Sequence, residues 1–390
     1  MPIVNRIAAL QPEIAEWRHD IHAHPEIQYD VHRTAGVVAE KLKAFGCDEV
    51  VTGIGRTGVV GVIRGQKPAG GGALKVVGLR ADMDALPITE ETNVPYRSTV
   101  AGKMHACGHD GHTAMLLGAA KYLAETRNFG GTAVVIFQPA EEGGAGARAM
   151  VQDGLMDRFG IEEVYGMHNF PGMPIGQFAI RSGPMMAAAD RISIEIEGVG
   201  GHAARPQLTV DPILVGAQIV NQLQSIVARN VDPVDAAVVS ITVFQAGNTD
   251  NVIPQSAALR GTARSFRPAT QDLLEKRVRE IVEGTARLYG AKARLRYHRD
   301  YPVTRNHEAQ AAFAAAVAGQ IAGADRVNTA VDPVMGAEDF SFMLNARPGA
   351  FIFVGNGDSA GLHNPAYDFN DEAIPVGASY WARLVETALP

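Results

Sequence analysis

Apolar and polar positions change their period several times along the first half of the chain. From Ile14 to His24 apolar residues recur at helical spacing and the run stops at Pro25; Thr34 to Phe45 repeats the pattern and ends at Gly46, a residue type that closes helices. Short apolar runs at Val59–Ile63 and Leu74–Leu79 read as strands, Gly111 to Glu125 as a helix, and Thr132–Phe137 as another strand. The glycine triplet Gly70–Gly72 reads as a hairpin tip. Strands alternating with helices imply a mixed or parallel α/β sheet, in which function gathers at the carboxyl ends of strands. Leu74–Leu79, Thr132–Phe137 and Val164–Met167 are each followed at once by Asp, Glu or His, which places a candidate site at one edge of that sheet.

From about Met186 the texture changes. DRISIEIEG alternates apolar and polar residues as a half-exposed strand does, and Pro212 to Ala228 then runs with helical spacing. Two strand-like runs, AAVVSITVFQAG and SAALRGTARSF, flank a turn-rich NTDNVIPQ; a helix over about Ala269 to Tyr289 and a strand in KARLRYHRDYP follow. The series β-α-β-β-α-β is the order of a ferredoxin-like module with one open sheet face. The α/β pattern resumes with a helix over Glu308–Ala322, the GAEDF stretch and a strand over Ala350–Val354. The expected fold is therefore α/β: a mixed-sheet domain over 1–186 and 303–390, interrupted by an inserted ferredoxin-like unit over 187–302.

Composition narrows the function classes. A chain of 390 residues with 46% hydrophobic content exceeds one core at ~150 residues per domain, in line with two units. Lys+Arg 35 against Asp+Glu 42 gives a net charge of −7 without a basic cluster, so neither nucleic acid nor an anionic membrane surface is an expected partner. No apolar run nears the ~18 residues of a spanning helix, and MPIVNRIAALQPEIAEW lacks the apolar core of an export leader; the expected location is cytoplasmic. Two cysteines, Cys47 and Cys107, rule out a disulfide framework, against twelve histidines.

Five segments concentrate ligand-type side chains: RADMDALP (80–87), HACGHDGH (105–112), QPAEEG (138–143), GMHNF (166–170) and GLHNP (361–365). Each alone has an ordinary structural explanation; their joint occurrence at strand ends points to a metal site. Cys107 and His109 stand at a helix start, where an irregular turn aims both at one point, and thiolate plus imidazole suits zinc, manganese or another borderline cation. The alternatives for Cys107 are a small buried hydrophobe or a nucleophile with a histidine base. Glu141 and Glu142 follow a strand and, in extended backbone, point opposite ways, so one can ligate while the other serves as general base; a pair answering a helix dipole is the competing explanation. Asp82 and Asp84 are either ligands or acceptors that fix a histidine tautomer. His168 and His363 complete enough donors for two metals. His202 lies in the glycine-rich turn GVGGHAARP, where it either reaches a ligand outside its own unit or is a solvated surface residue. Asn251 and Arg264 border strands, and an arginine there can clamp a carboxylate with two prongs.

The ordered set RADMDALP, HACGHDGH, QPAEEG, MHN, GGHAARP, DNVIP, GAEDF and HNP resembles the amidohydrolase branch of the aminoacylase/carboxypeptidase metallohydrolases, over nearly the whole chain from Trp17 on. The resemblance implies two divalent ions per subunit, zinc or manganese with nickel or cobalt as further candidates, in a catalytic α/β domain interrupted by a lid that often mediates dimerisation. It makes Cys107, His109, Glu142, His168 and His363 metal ligands and Glu141 the general base. His202 becomes an oxyanion stabiliser, for its own or the neighbouring subunit's site, with Asn251 and Arg264 near the substrate carboxylate. The peptidase branches carry a histidine where this chain has Asp82, so Asp82, Asp84 and Asp110 are expected behind the ligands. The implied reaction is hydrolysis of a small N-acyl amino acid by a homo-oligomer, a dimer or tetramer, with dipeptidase or carboxypeptidase action on the same metals as the alternative.

Overall fold

The computed structural model describes residues 3–68 and 75–390. Gly70–Gly72 and Leu74 lie outside them. The chain forms two compact units, one of Met1–Met185, Arg305–Asp332 and Asp339–Pro390, the other of Met186–Thr304 and Pro333–Glu338. The segment Pro333–Glu338, expected in the larger unit, belongs to the smaller because Val334 bridges to Met186 and its carbonyl accepts the Ala187 N–H at 3.2 Å.

The larger unit holds an eight-stranded mixed sheet among the described residues, in the order Glu49–Ile54, Gly58–Arg64, Thr132–Gln138, Val76–Asp82, Glu163–Phe170, Gly349–Gly355, Phe178–Ala179, Val327–Asn328. Its four central strands, from Thr132–Gln138 to Gly349–Gly355, run parallel. Side chains alternate across a strand. Leu79, Ala81, Phe137 and Met167 enter the core beneath the helices, while Arg80, Asp82, Gln138 and His168 face the other way, buried all the same. The Val76–Asp82 strand therefore runs past the Leu79 at which its apolar run stops.

The helix His109–Thr126 is buried along every side from His109 to Ala120, which suits its Ala- and Leu-rich sequence and its place against the helices Asn5–Ala23 and Ile374–Ala388. The first helix begins well before Ile14 and contains Pro12. Among the described residues no helix is long and apolar enough to cross a membrane.

The smaller unit is a four-stranded antiparallel sheet, ordered Ala237–Ala246, Ser256–Ser265, Ala188–Glu197, Lys292–Tyr301, with the helices Pro212–Arg229 and Pro268–Leu288 packed on it. Ile192, Ile194 and Ile196 from one strand, Ile219 and Leu223 from one helix and Leu274 and Val278 from the other make its separate core.

Leu117 has 0% exposure in the helix that carries the Cys107–His109 turn. Leu117→Ala should lower stability by about 2–5 kcal/mol through lost burial and a residual cavity. Urea unfolding measures this; a variant as stable as the wild type would contradict the packing described.

Candidate metal centre and active site

Gly108 turns the chain into the His109–Thr126 helix with φ +88°, and a Cβ there would lie 2.3 Å from Asn169 Nδ2 and 2.5 Å from Tyr367 Oη. This turn sets Cys107 Sγ 3.4 Å from His168 Nε2. His109 Nδ1 lies 2.8 Å from the Asp84 carbonyl and His168 Nδ1 2.7 Å from the Asn169 carbonyl. A carbonyl only accepts, so both Nδ1 atoms carry the proton and both Nε2 atoms face inward. His109 Nε2 is buried with no hydrogen-bond partner.

The glutamate pair does not continue the strand in extended backbone. Ala140 takes a left-handed φ of +55°, a strained choice for a residue with a side chain, and Glu141 opens a helical turn over Glu141–Gly144. Both backbone N–H groups of the pair donate to one carboxylate: Glu141 to Asp84 Oδ1 at 2.9 Å and Glu142 to Asp84 Oδ2 at 3.1 Å. Glu141 is buried, while Glu142 Oε1 lies 3.1 Å from His363 Nε2. His363 is half-exposed, has φ +63°, and donates its N–H to the Ala106 carbonyl at 2.7 Å, which ties its loop to the cysteine turn.

Donor atoms converge in overlapping groups whose members lie within 4.8 Å of one another: Cys107, His109 and His168; Cys107, Glu142 and His363; His109, Glu141 and Glu142. The structure thus brings together the expected ligands Cys107, His109, Glu142, His168 and His363 with the expected base Glu141. Burial, then the carboxylates of Glu142, Glu141 and Asp82, push the Cys107 thiol well above its ordinary range. For His109 burial is the largest effect and opposes charge, yet Asp82, Asp84 and Glu142 outweigh it and lift the ring to about 10. Burial and the neighbouring His112 lower His168, so it stays a neutral imidazole, the form that ligates. Protons on Cys107 and His109 sit where soft donors meet, which is the chemistry a divalent cation reverses. The donor set fits such an ion, and these residues are able to bind metal.

Asp82 Oδ1 lies 2.7 Å from His112 Nδ1 and Oδ2 2.8 Å from Arg80 Nη1, so both its oxygens are engaged. His112 Nε2 accepts the Asn169 N–H at 2.9 Å, which occupies its second nitrogen and leaves no lone pair for a metal, although Asp82, His109 and His112 also approach within 4.8 Å. Asp110 Oδ2 meets Arg18 at 3.1 Å and His22 at 2.9 Å. Asp339 accepts from Gln138 at 2.8 Å, from Arg80 at 3.1 Å and from the Ala147 N–H at 2.8 Å. Of this support, Arg80, His112, Asn169 and Asp339 were not singled out from sequence. Their signal is position: Arg80 shares a strand face with Asp82, and Asn169 follows His168.

In the smaller unit the short pairing Val252–His202 brings His202 beside Asn251, whose carbonyl accepts the Ala203 N–H at 3.1 Å. His202 is exposed, and its Nδ1 accepts the Ala204 N–H at 3.1 Å, which leaves the proton on Nε2 as a free donor. Arg264 is not with them. It pairs with Ala189 near the far end of the Ser256–Ser265 strand, eight residues or roughly 25 Å along it from Ser256 at ~3.3 Å per residue.

Thiol, imidazole and carboxylate donors gathered at the carboxyl ends of parallel strands define a protein able to hold divalent metal. Residues 78–387 match the family model described as peptidase family M20/M25/M40, and the chain belongs to that family, in its amidohydrolase branch. It is an enzyme of amidohydrolase type. It is 43% identical to hippurate hydrolase of Campylobacter jejuni over 98% of both chains, and 39% identical to thermostable carboxypeptidase 2 of Saccharolobus solfataricus over 98% of both. The YXEP protein of Bacillus subtilis, a dinuclear metal-binding peptidase from family M20, superposes with a TM-score of 0.83 at 34% identity, over 98% of this chain and 99% of that one.

Asp84→Ala leaves two backbone N–H groups without their acceptor, at about 1–3 kcal/mol for each buried orphan. It should therefore destabilise the protein by several kcal/mol and Asp84→Asn by less, since an amide oxygen still accepts. Coincident unfolding curves for wild type and Asp84→Ala would show that the carboxylate does not hold the turn.

Proposed function

We propose that the protein hydrolyses N-acyl amino acids, with an acetyl, benzoyl or other aromatic acyl group, to a carboxylic acid and a free amino acid, using two divalent ions per subunit. Cys107, His109, Glu142, His168 and His363 would hold the ions; the mixed thiolate, imidazole and carboxylate set suits zinc or manganese, with nickel or cobalt as further candidates. When bound, the ions supply Lewis-acid polarisation and a lowered pKa for water. The observation that carries the reading is Glu141: buried, within 4.8 Å of His109 and Glu142, and fixed at its backbone by Asp84.

Glu141 takes the proton from the water that attacks the amide carbon and returns it to the leaving nitrogen as the C–N bond breaks. The Nε2–H of His202 donates to the tetrahedral oxyanion. Asn251 and Arg264 receive the substrate carboxylate. We read the smaller unit as a ferredoxin-like lid and dimerisation unit over 187–302, in a homodimer or homotetramer. Support comes from its βαββαβ element order and from its four-stranded antiparallel sheet with two helices packed on it. In this reading His202 is offered to the neighbouring subunit's site. A buried, unpaired Cys107 favours a reducing compartment, in line with a cytoplasmic location.

The second reading, a dipeptidase or carboxypeptidase on the same metals, draws on the resemblance to the Saccharolobus carboxypeptidase. A panel of benzoyl-glycine, acetylated amino acids and unblocked dipeptides separates the two: the proposal expects turnover of the blocked substrates, lost with chelator and restored by zinc or manganese. Activity that survives chelation but not thiol alkylation would instead make Cys107 a nucleophile. Glu141→Gln should keep its metal and lose turnover by about 10²-fold or more, as removal of a general base does; a fully metallated, active Glu141→Gln protein would overturn that role.

A further inference from the structure

Behind the Cys107–His109 turn lies a charged cluster that the reaction does not use, buried at Arg18, His22 and Asp110 and partly open at Asp368 and Asp371. Arg18, on the helix Asn5–Ala23, has 0% exposure, rare for a guanidinium unless it is paired. Its Nη1 lies 3.1 Å from Asp110 Oδ2 and 3.4 Å from Asp368 Oδ1, its Nε 2.7 Å from Asp371 Oδ1, and its Cζ 4.4 Å from the centre of the Tyr96 ring. One helical turn on, His22 places Nδ1 2.9 Å from the same Asp110 oxygen and Nε2 3.3 Å from Glu90 Oε1.

These partners come from segments far apart in the chain, and each segment carries part of the metal centre. Asp110 follows His109 directly. Asp368 and Asp371 lie just past His363, and Glu90 and Tyr96 just past Asp84. The Glu91 N–H donates to the Pro365 carbonyl at 2.9 Å, and joins the last two segments. The helix of Arg18 and His22 contributes no donor itself. His363 stands at φ +63°, and a strained backbone of that kind persists only where its surroundings over-determine it. Breaking a buried ion pair on one side costs far more than the pair contributes, so such a hub fixes geometry strongly.

We propose that Arg18 and His22 are positioning residues of the metal centre: by gripping Asp110 on one side and Asp368 and Asp371 on the other, they set the distance between the Cys107–His109 turn and the His363 loop. The proposal rests on the reading of Cys107, His109 and His363 as ligands. Loosening the grip should weaken ion binding and change the angle at the sulfur while substrate affinity stays the same.

The test compares the wild type with Arg18→Lys, Arg18→Met, His22→Gln, Asp368→Asn and Tyr96→Phe. Each is dialysed metal-free, titrated with Zn²⁺ and Co²⁺, and checked for folding by circular dichroism. The Arg18 and His22 variants should lose about 10–100-fold in ion affinity, the range found when groups behind metal ligands are removed. Their Co²⁺ forms should show a shifted thiolate-to-cobalt charge-transfer band, and excess metal should restore kcat at unchanged KM. A purely stabilising role would lower the melting temperature and leave the cobalt spectrum as it is. Folded variants with wild-type ion affinity and spectrum overturn the proposal; if Arg18→Met does not fold, Arg18→Lys and His22→Gln decide it. A wild type that binds no divalent ion sinks the metal reading itself, a separate outcome from failure of the positioning role.

Discussion

One residue joins the parts of the centre. Asp84 gives its carbonyl to His109 Nδ1 at 2.8 Å and its carboxylate oxygens to the N–H groups of Glu141 and Glu142 at 2.9 and 3.1 Å. It leaves the sheet just beyond the Val76–Asp82 strand, whose neighbour Thr132–Gln138 leads to the glutamate pair. Parallel pairing delivers both strand ends to the same edge, and Asp84 then converts that rough proximity into a fixed geometry. Without it the left-handed Ala140 would have no reason to turn the chain into the site, since its strain has to be offset by bonds made just after it.

So much buried acid needs balancing. Burial alone would protonate Asp82, yet His109, Arg80 and His112 hold it well below the usual carboxylate range. Asp110 is likewise kept ionised against burial by His22 and Arg18. Both carboxylates are thereby committed to protein cations. Cys107 and Glu142 are placed differently: the thiol is pushed up by burial and by its acidic neighbours, and Cys107 belongs to two donor groups at once. Cys107 thus stands among acidic neighbours, and its donor groups are able to hold a cation.

The segments whose donor side chains the structure gathers were legible in the sequence because chemistry clustered where apolar runs stopped, and strand ends in an α/β sheet share an edge. The smaller unit was legible because its alternation and helical runs follow one another in an uninterrupted order. What escaped has physical causes. The strand carrying Arg80 and Asp82 looked finished at Leu79, since periodicity cannot see that two opposite charges on one face will satisfy each other inside the protein. For the same reason the helical spacing of Ile14–His24 gives no sign that Arg18 and His22 are buried and paired. The backbone at Glu141 was expected to stay extended because nothing in QPAEEG announces a left-handed alanine; the cause lies in Asp84, some sixty residues earlier in the chain. Pro333–Glu338 moved to the smaller unit through backbone bonds to Met186 and Ala187, which leave no compositional trace.

The smaller unit holds its polar groups apart. His202 and Asn251 are held together by a two-residue pairing, while Arg264 stands most of a strand away, on a rigid ladder continuous from Ser256 to Ser265. A twisted sheet with its own isoleucine core does not bend to bring such points together. An exposed histidine whose Nδ1 is occupied by a backbone N–H keeps its Nε2–H free, and a donor on a glycine-rich turn of this kind is open to a group from outside its own unit.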